Sequence, residues 1–296
     1  MCIRDSQTNV RNDYRVDRWE IGNEPNQRGQ GWLDNGCTMD QYWAFARLTT
    51  DAIKYVYSTY LPGRAPIIHA PGISGAPSRT TWATASVDNI DGLTDVFDYH
   101  WYSSNQDDIA AGYSDILRTH DTDGIVEPMW LSEWGTYNST YNTVGAAIGY
   151  MKELYLQNLP TSYVAGSDVF SMYTWGAAEG LVADNGAKSE TYYAFKTFLL
   201  GTQGGKPQYA VDGNSNSSLS VLASSDASGF FLTFLNTGSS AVAVTADVSA
   251  HRSSGVGTVT EYSSANKAVV IGDAVVSSGK LNVTVPPASV QSVKVP

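Results

Sequence analysis

Glu24 follows the apolar run Trp19-Glu20-Ile21-Gly22-Asn23 and precedes Pro25, which cannot donate to a ladder and so stops a strand. Glu133 stands in the same way after Met129-Trp130-Leu131-Ser132, between Trp130 and Trp134. Each carboxylate therefore falls at the carboxyl end of a short strand. In a parallel sheet all such ends face one way, so two glutamates more than a hundred residues apart can meet in one pocket. Two nearby carboxylates in unequal surroundings suit hydrolysis of a glycosidic bond, one protonated to assist the leaving oxygen and the other ionised to attack the anomeric carbon. A third run, Asp98-Tyr99-His100-Trp101-Tyr102, places His100 and Tyr102 on one face by period-two alternation, where both can hydrogen-bond a carboxylate. A fourth, Met172-Tyr173-Thr174-Trp175-Gly176, ends in an aromatic able to floor a sugar subsite.

Around these residues the simpler assignments are structural. Glu20 shares the Glu24 face and is read as paired to Arg18 or another charge, and Glu179 is the best spare carboxylate. His69 and His120 are read as structural, and His251 has no partner in view. Trp19, Trp43 and Trp130 are read as packing residues and Trp101 is left open, whereas Trp134 and Trp175 follow their strand ends and are read as sugar contacts.

The elements that must carry these groups alternate. Strand-like runs at Asp17–Asn23, Ala65–Ala70, Thr94–Trp101, Val126–Ser132 and Ser167–Thr174 are separated by helical stretches at about 39–59, 80–90, 107–119, 142–157 and 189–200, the pattern of five βα units. After the turn-rich Gly201–Pro207 come seven short β-branched runs punctuated by Ser, Gly and Asn, the pattern of a β-sandwich. We therefore expect a barrel-type segment over 7–202 and a sandwich over 203–296. Residues 1–6 have no apolar core and no cleavage site, and they read as a non-native remnant.

Composition narrows the partners. The 296 residues carry 18 Lys and Arg against 29 Asp and Glu, a net charge of −11 that would repel a phosphate backbone, so nucleic acid is an unsuitable partner. No apolar run reaches the eighteen residues of a membrane span. The two cysteines sit in no metal-binding spacing, and no metal or cofactor is expected. Acidic charge and few cysteines fit an extracellular or periplasmic location.

The runs WEIGNEPN, DYHWY, WLSEWG and MYTWGA and the tail GLVADNGAKSETYYAFK resemble clan A retaining glycoside hydrolases, which are (β/α)8 barrels, over roughly residues 15–200. The resemblance is nearest to family 39, with families 30, 51 and 79 as neighbours, in which a trailing β-sandwich is common. It implies that Glu24 is the acid/base, that Asn23 holds the sugar 2-hydroxyl and that Glu133 is the nucleophile. It also implies that His100 or Tyr102 lines the site and that Trp175 forms a platform. On that pattern Asp17–Asn23 is the fourth strand, and the residues before it are too few for three βα units of about thirty residues each. The expectation is thus an incomplete barrel, strands 4 to 8, truncated at its amino end, followed by a β-sandwich. The expected activity is that of a retaining β-glycosidase. The alternatives are a non-catalytic carbohydrate-binding protein or inactive fragment, and a transglycosidase using the same residues.

Overall fold

The computed structural model describes residues 16–27, 36–74, 81–82, 85–86, 89, 92–102, 128–135, 142–159, 164–169, 180–183 and 185–296. Five strands, β1 (Arg18–Glu20), β2 (Ile67–Ile73), β3 (Val96–Tyr102), β4 (Met129–Gly135) and β5 (Val164–Val169), form one parallel sheet in sequence order. Among the described residues the sheet does not close, and β1 and β5 are its two edges, as expected for part of a barrel. β2 and β3 read as nearly continuous buried runs, each with one residue short of full burial, because a parallel sheet of this kind is covered on both faces.

Helix α1 (Met39–Tyr60) links β1 to β2. Thr38 caps it and Gln41 returns the bond, a reciprocal pair that satisfies two otherwise orphaned N–H groups. Its buried side includes Tyr42, Trp43, Ala46, Thr50 and Tyr57. Two hydroxyls on that side reach the sheet: Tyr57 bonds the Val16 carbonyl, and Tyr42 donates to the Ile21 carbonyl at 2.7 Å. Residues 81, 82, 85, 86 and 89 are helical, within the second expected helix. The helix expected at 107–119 lies outside the described residues.

A second compact unit holds the remaining elements. Helices α2 (Val144–Gln157) and α3 (Glu190–Phe198) pack on each other, and α3 packs on strands of an eight-stranded antiparallel sheet in the order β6-β7-β8-β13-β10-β11-β12-β9. Its strands are β6 (Gln208–Tyr209), β7 (Leu219–Asp226), β8 (Gly229–Asn236), β9 (Val242–Asp247), β10 (Gly255–Tyr262), β11 (Lys267–Ser277), β12 (Lys280–Val285) and β13 (Ser289–Val295). Leu219 and Phe234 near one end of this order share a core with Leu281 and Val285 near the other, so the sheet folds over on itself into two layers. The register shifts of β10 against β11 mark where it bends.

Three of the departures from the expected strand bounds bear on the site. β1 is shorter than Asp17–Asn23, because Gly22 turns to φ +86° and ends the extended run. β4 continues through Gly135, so Glu133 and Trp134 lie within the strand rather than after it. β5 begins at Val164, three residues ahead of the expected Ser167, and Thr174, Trp175 and Glu179 fall outside the described residues.

Candidate active site

The bend after β1 is fixed by its own backbone and by the end of β2. Glu24 adopts φ +43°, a left-handed conformation that a non-glycine residue holds only when its surroundings impose it. Those surroundings come from the end of β2. Glu24 N donates to the Gly72 carbonyl at 2.9 Å, and buried Asn26 accepts from Ser74 N and donates to its carbonyl, at 2.8 and 3.1 Å. Tyr42 reaches across from α1 to the Ile21 and Pro71 carbonyls. Burial, aided by the charges of Glu20 and Asp98, pushes the Tyr42 hydroxyl well above its ordinary value, so it stays a donor.

Against this bend the side chains converge. His100 is wholly buried at the centre. Nδ1 stands 3.1 Å from Oε1 of Glu24 and 3.5 Å from Oε2 of Glu133, and Nε2 stands 3.2 Å from Oε1 of Glu20. Tyr102, two residues on and therefore on the same face, donates to Oε2 of Glu133 at 2.8 Å. Oε1 of Glu133 accepts no hydrogen bond among the described residues. The Glu24 side chain is 9% exposed and that of Glu133 is 28% exposed.

Burial alone would lower the His100 ring. Its hydrogen bonds to Glu20 and Glu24 and the charges of Glu133 and Glu20 outweigh this, and the ring is pushed up to about 10. It is therefore an imidazolium at neutral pH, a cation among the carboxyl groups of Glu20, Glu24 and Glu133. A carboxylate oxygen of Glu24, one of Glu133 and a ring nitrogen of His100 lie within 4.8 Å of one another, a spacing that would also suit a cation. A protonated imidazole has no lone pair to offer, so a cation held here would first have to displace the ring proton of His100.

A second network lies beside the first. Arg18 donates to Nε2 of His69 at 3.1 Å and covers the Trp130 ring at 4.1 Å, while Nδ1 of His69 faces Asp98 at 3.5 Å. Since arginine only donates, Nδ1 of His69 carries the ring proton. His69 is thereby tied to Arg18, Asp98 and the Trp130 ring. Glu20 is not paired to Arg18; its partner is His100. The signal for this was present in the four-residue spacing that sets Glu20 and Glu24 on one side of the chain.

Of the residues singled out from the sequence, the structure brings Glu24, His100, Tyr102 and Glu133 together. Asn23 is exposed in the bend beside Glu24. Trp134 is wholly buried, because alternation along β4 turns it to the face opposite Glu133; a ring so placed packs the interior and offers no face to a sugar. Trp130 is half-buried, with its Nε1 donating to Asp168 at 2.8 Å.

Carboxylates at the carboxyl ends of parallel βα strands, ahead of an antiparallel sandwich, define the class to which this fold is similar: barrel-plus-sandwich glycoside hydrolases. A family 30 endoxylanase from Clostridium papyrosolvens C71 superimposes with a TM-score of 0.70 at 16% identity, over 96% of this chain and 66% of its own. A family 44 endoglucanase from Clostridium acetobutylium ATCC 824 gives 0.72 at 12% identity over 98% and 69%. A family 51 arabinofuranosidase from Xanthomonas axonopodis pv. citri gives 0.66 at 14% over 95% and 66%. The chain thus spans about two thirds of the length of these structures, and at such identities the likeness is one of fold. Families 30 and 51 were among those the motifs suggested, family 44 was not, and a closer tie to family 39 is not confirmed. No protein-family model matches the sequence, and no curated protein matches it.

Proposed function

We propose that this chain carries the catalytic pair of a retaining glycosidase that cleaves β-glycosidic bonds of an oligo- or polysaccharide. The observation that carries the reading is the approach of Glu24 and Glu133 within 4.8 Å at strand carboxyl ends, joined by His100. Retaining enzymes hold their carboxyl groups about 5–5.5 Å apart, whereas inverting ones leave about 6.5–9.5 Å for a water. Glu24 gives its proton to the glycosidic oxygen while Oε1 of Glu133, the oxygen not engaged by Tyr102, attacks the anomeric carbon. The C–O bond to the leaving group breaks and a glycosyl ester forms. Glu24 then takes a proton from water, which attacks the same carbon and releases Glu133. Structural neighbours named as xylanase, endoglucanase and arabinofuranosidase support a carbohydrate substrate. An extracellular or periplasmic location fits polymeric carbohydrate, and among the described residues no helix is long and apolar enough to cross a membrane.

A 2-deoxy-2-fluoro β-glycoside with an activated leaving group tests the reading. It should leave a glycosyl ester on the peptide that contains Glu133. A label on another residue, or an α-configured first product from an ordinary β-glycoside, overturns it. Tyr102→Phe removes one hydrogen bond to the nucleophile, and kcat should fall about 100-fold with the denaturation midpoint unchanged. A second reading, carbohydrate binding without turnover, draws on the open sheet edges β1 and β5. Sugar binding measured by calorimetry, with neither label nor product, would favour it.

A further inference from the structure

We propose that Glu20 is a positioning residue of this site: its carboxylate accepts from Nε2 of His100 and so aims Nδ1 of the same ring at Glu24. The inference rests on the function proposed above, and it adds a third carboxylate that double displacement does not itself require. An imidazole held at one nitrogen can swing about that bond, while one held at both has its plane fixed. His100 is held at both, at 3.2 Å by Glu20 and at 3.1 Å by Glu24. The backbone leaves a slot for this contact. Gly72, at φ +55° in β2, comes so near that a β-carbon built there would lie 2.5 Å from Oε1 of Glu20 and 3.5 Å from its Cγ. The nearest cation on the same strand, Arg18, is turned to His69 and the Trp130 ring, so the charge of Glu20 is directed at His100.

The surrounding charges make the effect readable. His69 faces the cluster from β2, Asp98 from β3 and Glu133 from β4, with the Tyr42 hydroxyl supplied by α1. Burial, then Asp98, push the Glu20 carboxyl above its ordinary value against the opposing contact with His100, and the same contact helps push the ring up. With Gln at position 20 the amide oxygen still accepts from Nε2, but the negative charge is gone. The ring then gives up its proton at a lower pH, and above that pH Nδ1 no longer donates to Glu24.

The full chain labelled with ¹⁵N-histidine, wild type and Glu20→Gln, is titrated by NMR. The four histidines are few enough for His100 to be assigned from the signal lost in His100→Gln. The His100 midpoint should fall by about one pH unit or more in Glu20→Gln. Above the lowered midpoint kcat should drop about tenfold with KM little changed, moving the alkaline limb of the rate profile to lower pH. An unshifted midpoint overturns the proposal. So does a shifted midpoint accompanied by wild-type kcat at every pH. The titration is read without substrate, so it decides whether Glu20 holds the ring even where the fluoroglycoside experiment shows that the proposed activity is absent.

Discussion

Glu133→Ala should lower turnover of a β-glycoside by at least about 10⁵-fold, and azide should not restore the β-configured product. Removing the nucleophile removes the glycosyl ester, and the Tyr102 hydroxyl is left with no carboxylate to hold. Any azide attack in the vacated space would come from the nucleophile's side and yield an α-glycosyl azide. Glu24→Ala should behave differently. A substrate whose leaving group departs without a proton, such as a dinitrophenolate, should still form the ester, and added azide should then attack it from the vacated acid/base side to give a β-glycosyl azide. Turnover of poor leaving groups should stay low throughout. The contrast is checked by product NMR in the two variants. Azide giving β-product in Glu133→Ala and none in Glu24→Ala would reverse the two roles, and no difference between the variants would remove both.

The positions of these two residues were legible because strand ends are written locally. An apolar run, a carboxylate and then a proline or an aromatic cluster needs no knowledge of the rest of the chain, and period two was enough to put His100 and Tyr102 on one face. What failed depended on partners. Trp134 was taken to lie beyond its strand, but pairing with β5 carries β4 on to Gly135, and one more step of alternation turns the ring inward. β11 runs through Gly272-Asp273 to Ser277 because its pairing with β10 continues past both residues, which nothing within the segment itself announces. The amphipathic patterns of α2 and α3 announced helices with one apolar side but not which sheet that side covers. Contacts made by α3 include Glu190 with Tyr262 and Lys267 of the sandwich, and no property of residues 189–200 alone could specify that. The role of Glu20 was missed for the same reason, since the ring it holds lies eighty residues away.

His100 is also the residue whose loss should cost the sheet most. His100→Leu preserves bulk and removes the imidazolium that lies among Glu20, Glu24 and Glu133. Breaking a buried pair by deleting one partner leaves uncompensated charge, and the expected loss is about 3–5 kcal/mol near neutral pH. Seven of the eight tryptophans lie between residues 19 and 134, so tryptophan fluorescence in denaturant reports on the sheet that holds the site. The pH dependence has a definite sign. The ring is raised in the folded state from 6.5 to about 10, so its contribution is fully present below pH 6.5 and is lost as pH rises through 10. Wild type should therefore lose stability across that window while His100→Leu, with no ring to titrate, should not, and the two curves should converge toward its upper end. Parallel curves from pH 6.5 to 10 would mean that His100 folds as a neutral ring, and the ion cluster would then have to be replaced by a site in which Glu20, Glu24 and Glu133 share protons among themselves.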